Sequence, residues 1–208
     1  MFGAWHEWLF GFGALLCSGA AVKIMDDFLD SDFDRFRGRR TLAVKLGRAA
    51  LPYGLVLAML GAYFDLPLAL AVFFGSYAVG MFSTWKLRLP TRLPSYVEIV
   101  LAVLLAVLTA GPALALWGLA MMAVVDWLDD LVDISADKAA GQDNIAMKIG
   151  IVETLFLVMM ALCAAVLLNA RDTALTFIAV AVLSMVADLT TTRLWSTHDQ
   201  GTGSVDSR

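Results

Sequence analysis

Apolar residues run along this chain in long uninterrupted blocks, not in the alternation of a half-buried strand or the one-sided stripe of a surface helix. Crossing a bilayer as a helix takes about 20 apolar residues, with a range of about 17–25. Seven blocks meet or approach that length, at roughly 2–25, 50–64, 67–85, 94–110, 112–129, 151–169 and 173–193. Pro52, Pro67, Pro94 and Pro112 stand at or near block starts, where the first turn of a helix has unbonded N–H groups and a missing one costs nothing. The pattern predicts an all-α, polytopic membrane bundle of about seven transmembrane helices. The block at 50–64 is short for an independent span. A tilted or partly buried helix there, and six crossings in all, is the alternative. Residues 1–195 read as a single transmembrane domain. From 196 to 208 the chain is a polar cytoplasmic tail, with His198, Gly201, Gly203 and Ser204, and is expected to be unstructured.

Composition narrows the class. Of 208 residues, 60% are hydrophobic and 16% charged, against about 45–50% and about 25% in an ordinary soluble domain. A disordered chain, a nucleic-acid binder and a disulfide-stapled secreted domain are excluded. Cys17 and Cys163 lie inside apolar blocks at no metal-ligand spacing and read as reduced packing residues. The first block has neither a basic leader nor a small-residue cleavage site, so no cleaved signal peptide is expected. The net charge of −4 is small, but the charges are segregated. If the first block runs from outside to inside, 14 of the 15 Lys and Arg residues fall on the inner side and only Arg171 falls outside. The positive-inside rule therefore predicts an integral cell-membrane protein with its N-terminus outside and its C-terminus in the cytoplasm.

The chain also repeats itself. Residues 26–47 read DDFLDSDFDRFRGRRTLAVKLG and residues 129–150 read DDLVDISADKAAGQDNIAMKIG, a gapless match at a shift of 103 positions. The identities are Asp26/Asp129, Asp27/Asp130, Asp30/Asp133, Asp34/Asp137, Gly38/Gly141, Ala43/Ala146, Lys45/Lys148 and Gly47/Gly150. The same shift superposes the first, second and third apolar blocks on the fifth, sixth and seventh. Two parallel three-helix repeats follow, one at about 1–85 and one at about 94–193, with an additional helix opening the second.

Each repeat carries carboxylates at i, i+3 and i+7: Asp27, Asp30 and Asp34 in one, Asp130, Asp133 and Asp137 in the other. On a helix these fall within about 60° of one face, at the cytoplasmic end of a span, with Asp26 or Asp129 alongside. Asp126 lies one turn deeper on the second strip. Solvated helix-end charges account for two or three aspartates. They account poorly for a duplicated register, because carboxylates stacked one turn apart repel, and acidic residues near a bilayer are costly. A bound cation relieves the repulsion, and all-oxygen ligands suit Mg2+ or Ca2+ rather than zinc. Two facing strips suit ions gripping a diphosphate between the halves. Arg39, Arg40, Lys45 and Arg48 follow the first strip and Lys148 the second. The positive-inside signal explains most of these, while the repeat-equivalent Lys45 and Lys148 are the favoured phosphate contacts.

These residues bring a family into view. Asp26–Asp34, DDFLDSDFD, resembles the NDxxDxxxD motif of the UbiA superfamily of intramembrane prenyltransferases. Asp130, Asp133 and Asp137, followed by Lys138 and Gly141, resemble that family's second aspartate-rich motif, and Ile145–Gly150 is similar to its TLPVxLG ending. The resemblance implies a helical barrel with a central cavity. There Mg2+, held by Asp26, Asp27, Asp30, Asp34, Asp130, Asp133 and Asp137, would bridge an isoprenyl diphosphate between the two motifs. Arg39, Arg40, Lys45 and Lys148 would contact the diphosphate, and the prenyl tail would lie in a tunnel open to membrane lipid. Asp26 replaces the family's usual Asn. The RPLPSG-like stretch is replaced by Arg40–Gly47, which looks like the second motif's ending. The first and last of the family's spans are missing, so the barrel would open more widely or close against a second copy as a homo-oligomer.

The chemistry this implies is ionisation of an allylic diphosphate and transfer of the prenyl group to a lipophilic acceptor, an aromatic one among the candidates. Asp126 is the candidate catalytic residue, positioning or deprotonating the acceptor. Asp188 and Glu98 are weaker candidates, with Asp188 placed to pair with Arg193. Trp117, Trp127, Phe73, Phe74 and Tyr77 would stabilise a cation by their ring faces, or serve as packing and interfacial residues. Two alternatives stand beside transfer: a terpene cyclase using the same diphosphate site, and a non-catalytic protein that binds prenyl diphosphates or pairs with another membrane protein.

Overall fold

In the computed structural model the described residues are 2–29, 31, 41–82, 84–85, 87–88, 91–141 and 144–199, and they form helices with no strand among them. Helix α1 covers Phe2–Leu29. The short α2, Leu42–Leu46, leads through a 3-10 turn at Gly47–Ala49 into α3, Ala50–Phe64. Then come α4, Leu66–Gly80, α5, Ser95–Ala110, and α6, Pro112–Val132. The short helices α7, Ile134–Ala140, and α8, Ile145–Ile149, precede α9, Ile151–Asp199. Three helices are long and apolar enough to cross a membrane: Trp5–Leu29, Leu42–Phe64 and Ile151–Thr190. The outer surface is apolar as well, with Leu108 79% and Leu167 87% exposed. A surface of that kind is stable against lipid and a liability in water.

Several boundaries move from where the hydropathy pattern put them. Helix α1 runs on to Leu29, which places Asp26 and Asp27 on its final turns. Helix α4 stops at Gly80, short of 85, and a hairpin-like turn follows in which Ser95 donates its N–H and its hydroxyl to the Leu87 carbonyl. Blocks 151–169 and 173–193 form one continuous element, interrupted only at Asn169 (φ −159°, ψ 85°). Helical structure also runs past 196, to Asp199.

Two single-residue breaks have the same local chemistry. Asp65 (φ −155°, ψ 98°) separates α3 from α4 and accepts the Leu68 N–H at 3.0 Å, with Pro67 in the new helix's first turn. Asn169 accepts the Asp172 N–H at 3.1 Å. In each, a short polar side chain satisfies one of the N–H groups that a helix start leaves unbonded. The first arm of α9 leaves from the C-terminal end of α6, where Ile145 N–H bonds the Asp130 carboxylate. Thr173, just past the break, accepts the Trp117 indole N–H near the start of α6 at 2.9 Å. The first arm thus runs antiparallel to α6. The second arm runs back beside α1, with Gly11 against Leu175 and Gly19 against Leu183.

Small residues let the helices approach. A Cβ on Gly75 would stand 2.7 Å from the Gly118 carbonyl, and one on Gly118 would overlap the Ala71 carbonyl, so the α4 and α6 backbones touch. A Cβ on Gly61 would collide with the Ser18 hydroxyl, which fixes the α1–α3 crossing in the same way. Beneath the crossings lies a core of Leu15, Leu68, Val72, Trp117, Met121, Val124, Val158 and Leu175. One end of the bundle is closed by a polar cluster. Asp172, 2% exposed, accepts from Arg171 Nε at 2.7 Å and from Asn169 Nδ2 at 2.7 Å.

Candidate functional site

At the other end, α1, α4, α6 and the second arm of α9 enclose a cavity of about 230 Å³. Each helix presents one face to it. Leu15, Gly19, Val22, Lys23 and Asp26 come from α1, and Met122, Val125, Asp126 and Asp129 from α6. Val72, Ser76, Val79 and Gly80 come from α4, and Thr176, Ala179, Val180, Leu183 and Ser184 from α9. The spacings of three and four residues are those of a single helical face. The inner wall is aliphatic, and Lys23, Asp26, Asp126 and Asp129 lie toward the C-terminal ends of α1 and α6, at the mouth. Thr176 spends its hydroxyl on the Asp172 carbonyl at 2.7 Å.

Lining residues pair at the 103-residue shift seen in the sequence: Gly19 with Met122, Val22 with Val125, Lys23 with Asp126, Asp26 with Asp129, Ser76 with Ala179, and Gly80 with Leu183. The downstream segments match at the same shift. Helices α2 and α8 have equal length, begin at the capping side chains Thr41 and Asn144, and end at Gly47 (φ 55°) and Gly150 (φ 110°). Thr41 accepts the Val44 N–H at 3.3 Å and Asn144 the Met147 N–H at 3.2 Å.

Three carboxylates gather at the mouth. Asp126 experiences the charges of Asp130, Asp26 and Asp129, and Asp26, Asp126 and Asp129 remain accessible from the cavity. Like charges held this close favour a cation among them. Lys23 shares the mouth and lies 3.7 Å from Asp27.

The second aspartate strip is not the continuous helical face that its spacing predicts. Helix α6 ends at Val132, Asp133 (φ −95°, ψ 9°) forms the junction, and Asp137 belongs to the separate α7. Asp137 is 8% exposed and accepts Asn144 Nδ2 at 2.8 Å. The same amide also donates to the Asp130 carbonyl at 2.7 Å, while the Asp130 carboxylate takes the Ile145 N–H at 2.8 Å. Asn144 thereby ties α6, α7 and α8 together, and the cavity receives Asp126 and Asp129 from this half. From the first half it receives Asp26. Asp30, Asp34, Arg39 and Arg40 lie outside the described residues. Lys45 and Lys148 are exposed on α2 and α8, off the cavity wall, with Lys148 near enough to act on the Asp130 charge.

Among the described residues, no three His, Cys, Asp or Glu side chains converge closely enough to form a metal cage. Mg2+ does not require one: it takes one or two carboxylates and completes its shell with water and substrate phosphate. The all-oxygen donors Asp26, Asp126 and Asp129, accessible and mutually repelling, fit that chemistry.

The aromatic candidates stay off the cavity wall. Trp117 is fully buried and bonded to Thr173. Trp127 packs on Phe82, and Phe73 and Phe74 pair edge to face. Tyr77 and Thr91 both donate to the buried Glu98, which pins the turn between α4 and α5. Asp188 is exposed on α9, outside the cavity lining. Lys23, Ser76 and Ser184 are cavity residues that the sequence reading did not single out. Extending the repeat three positions upstream of Asp26 aligns Lys23 with Asp126, and would have marked it.

No family model matches the chain, and neither a curated protein nor a solved structure shows significant similarity to it.

Proposed function

We propose that the protein is a Mg2+-dependent intramembrane prenyltransferase that ionises an isoprenyl diphosphate and passes its prenyl group to a lipophilic acceptor. The observation that carries this is the cavity itself: an aliphatic pocket between repeat-related helix faces, with Asp26, Asp126, Asp129 and Lys23 at its mouth. Carboxylates paired at the 103-residue shift and an apolar interior suit an amphiphile with an anionic head and a hydrocarbon tail. In this reading the chain crosses the membrane seven times. It comprises two parallel three-helix units, α1, α3, α4 and α6 with the two arms of α9, and α5 opens the second. The positive-inside distribution puts the mouth on the cytoplasmic side.

Asp26 and Asp129 would ligate the metal, with the Asp126 charge beside them helping to draw it in. Bound there, Mg2+ would supply Lewis-acid neutralisation of the charge that grows on the leaving diphosphate. Lys23 contributes a fixed positive charge at the same rim. The aliphatic wall of Val22, Val72, Val79, Val125 and Leu183 keeps water from the allylic C1 as its bond to oxygen breaks. The acceptor's nucleophilic atom then bonds to C1. Asp126, the deeper of the two α6 carboxylates, is placed to orient that atom and take its proton.

The test is incubation of the purified full chain in lipid nanodiscs with radiolabelled isoprenyl diphosphates and Mg2+, with and without a lipophilic phenol. Diphosphate release coupled to a prenylated phenol supports the proposal. A cyclic hydrocarbon formed without the phenol would make the protein a cyclase. Saturable binding without release would favour a non-catalytic prenyl-diphosphate-binding role, and absence of both would overturn the proposal.

A further inference from the structure

Resting on that assignment, we propose that the site is built for a short isoprenyl tail of about two isoprene units, and that Leu15, Val72 and Met122 form the floor that sets this length. Volume gives the first bound. A buried apolar cavity of about 150 Å³ holds one benzene ring, six carbons. At the same density, the 230 Å³ here holds about nine carbons.

Depth gives a second, independent bound. The lining runs from Gly80 down to Val72 on α4 and from Ser184 down to Thr176 on α9, about 12 Å, and from Asp26 at the mouth down to Leu15 on α1, about 16 Å, at about 1.5 Å per helical residue. Three backbone bonds extend about 3.5 Å. The four bonds of an isoprene unit therefore extend about 4.5 Å, so two units reach about 9 Å and three about 14 Å. With the diphosphate and its metal taking up the Asp26 level at the mouth, a ten-carbon tail fits beneath them and a third unit meets the floor.

The floor is firm. Leu15 and Val72 are each 3% exposed and continue into the packed core with Leu68, Trp117 and Leu175. Trp117 is fixed from below by its hydrogen bond to Thr173. Thr176 has committed its hydroxyl proton to the Asp172 carbonyl, and Leu15, Val72 and Met122 around it are apolar. Deepening the cavity would require moving a buried indole off its hydrogen bond to Thr173 and disturbing the Asp172 cluster.

The experiment uses the full chain in nanodiscs with Mg2+ and a ladder of dimethylallyl, geranyl, farnesyl and geranylgeranyl diphosphates. Binding is read by competition against labelled geranyl diphosphate, and turnover by diphosphate release. The expected result is tightest binding and highest kcat/KM for the ten-carbon substrate, at least about tenfold above the twenty-carbon one, as clashing methylenes in a closed pocket impose. Leu15→Ala and, separately, Met122→Ala should shift the optimum to the fifteen-carbon substrate. Ser76→Leu, which fills the cavity without hollowing the core, should shift it to the five-carbon substrate. Release that is equally fast for ten and twenty carbons, or folded variants that leave the ladder unmoved, would overturn the length assignment alone. No binding of any member would overturn the prenyl-diphosphate site and this inference with it.

Discussion

At one end of the bundle Asp172 is almost fully buried and accepts from Arg171 and Asn169; at the other, Asp26, Asp126 and Asp129 line the mouth of a cavity, where Asp126 feels the charges of the other two. The residue type is the same, and the surroundings decide its use. A carboxylate matched to a guanidinium and an amide is a structural tie. Carboxylates gathered against each other hold electrostatic repulsion that a cation relieves. Hydropathy alone does not separate these cases, since Asp172 and Asp126 each lie within or beside an apolar block.

Breaking the comparison at the mouth gives the largest expected effect. Asp126→Ala or Asp129→Ala should cut diphosphate release by about 10²–10³-fold, the usual cost of removing one charge-stabilising group from an active site. Thermal unfolding in detergent should shift by about 1 kcal/mol or less, the usual size for a substitution outside a packed core. Asp172→Ala should do the reverse. It strands Arg171, whose side chain is 36% exposed, so the cost should be about 2–3 kcal/mol, below the about 3–5 kcal/mol of a fully buried pair. The unfolding midpoint reports it, and unchanged stability would refute the tie.

A smaller effect separates the repeats. Thr41→Ala removes one N-cap bond and should cost about 1 kcal/mol. Asn144→Ala removes the equivalent cap together with the bonds to Asp130 and Asp137, and should cost about 1–2 kcal/mol more, because the buried Asp137 carboxylate loses its partner. Equal costs would show that Asn144 does not tie the three helices. Gly118→Ala tests the α4–α6 contact. Its added methyl overlaps the Ala71 carbonyl, and about 1–3 kcal/mol of overpacking should appear in thermal unfolding.

Much of the helical plan was legible because apolar blocks and their punctuation are local. The block at 50–64 coincides with α3, and Gly111 followed by Pro112 marks the α5–α6 boundary to the residue. The equivalence of α2 and α8 was legible in the 103-residue shift. The course of the second aspartate strip was not. Whether Asp137 continues the α6 face depends on Asn144, seven residues on, folding back to bond it. A spacing of i, i+3, i+7 assumes that the helix continues, and carries no information on such a tertiary bond. Lys23 was missed for a simpler reason: a lone cation at a span end looks like the positive-inside signal until it is set opposite Asp126 across the repeat.

The most direct measurement is saturable binding of labelled geranyl diphosphate to the purified full chain, with Mg2+ and with the metal chelated, in wild type, Asp126→Ala and Asp137→Asn. The account predicts Mg2+-dependent binding that Asp126→Ala abolishes. Asp137→Asn, which keeps an oxygen facing the Asn144 amide, should leave binding intact. Binding unaffected by chelation and by Asp126→Ala, or lost in Asp137→Asn while the protein stays folded, would contradict the placement of the diphosphate at the cavity mouth.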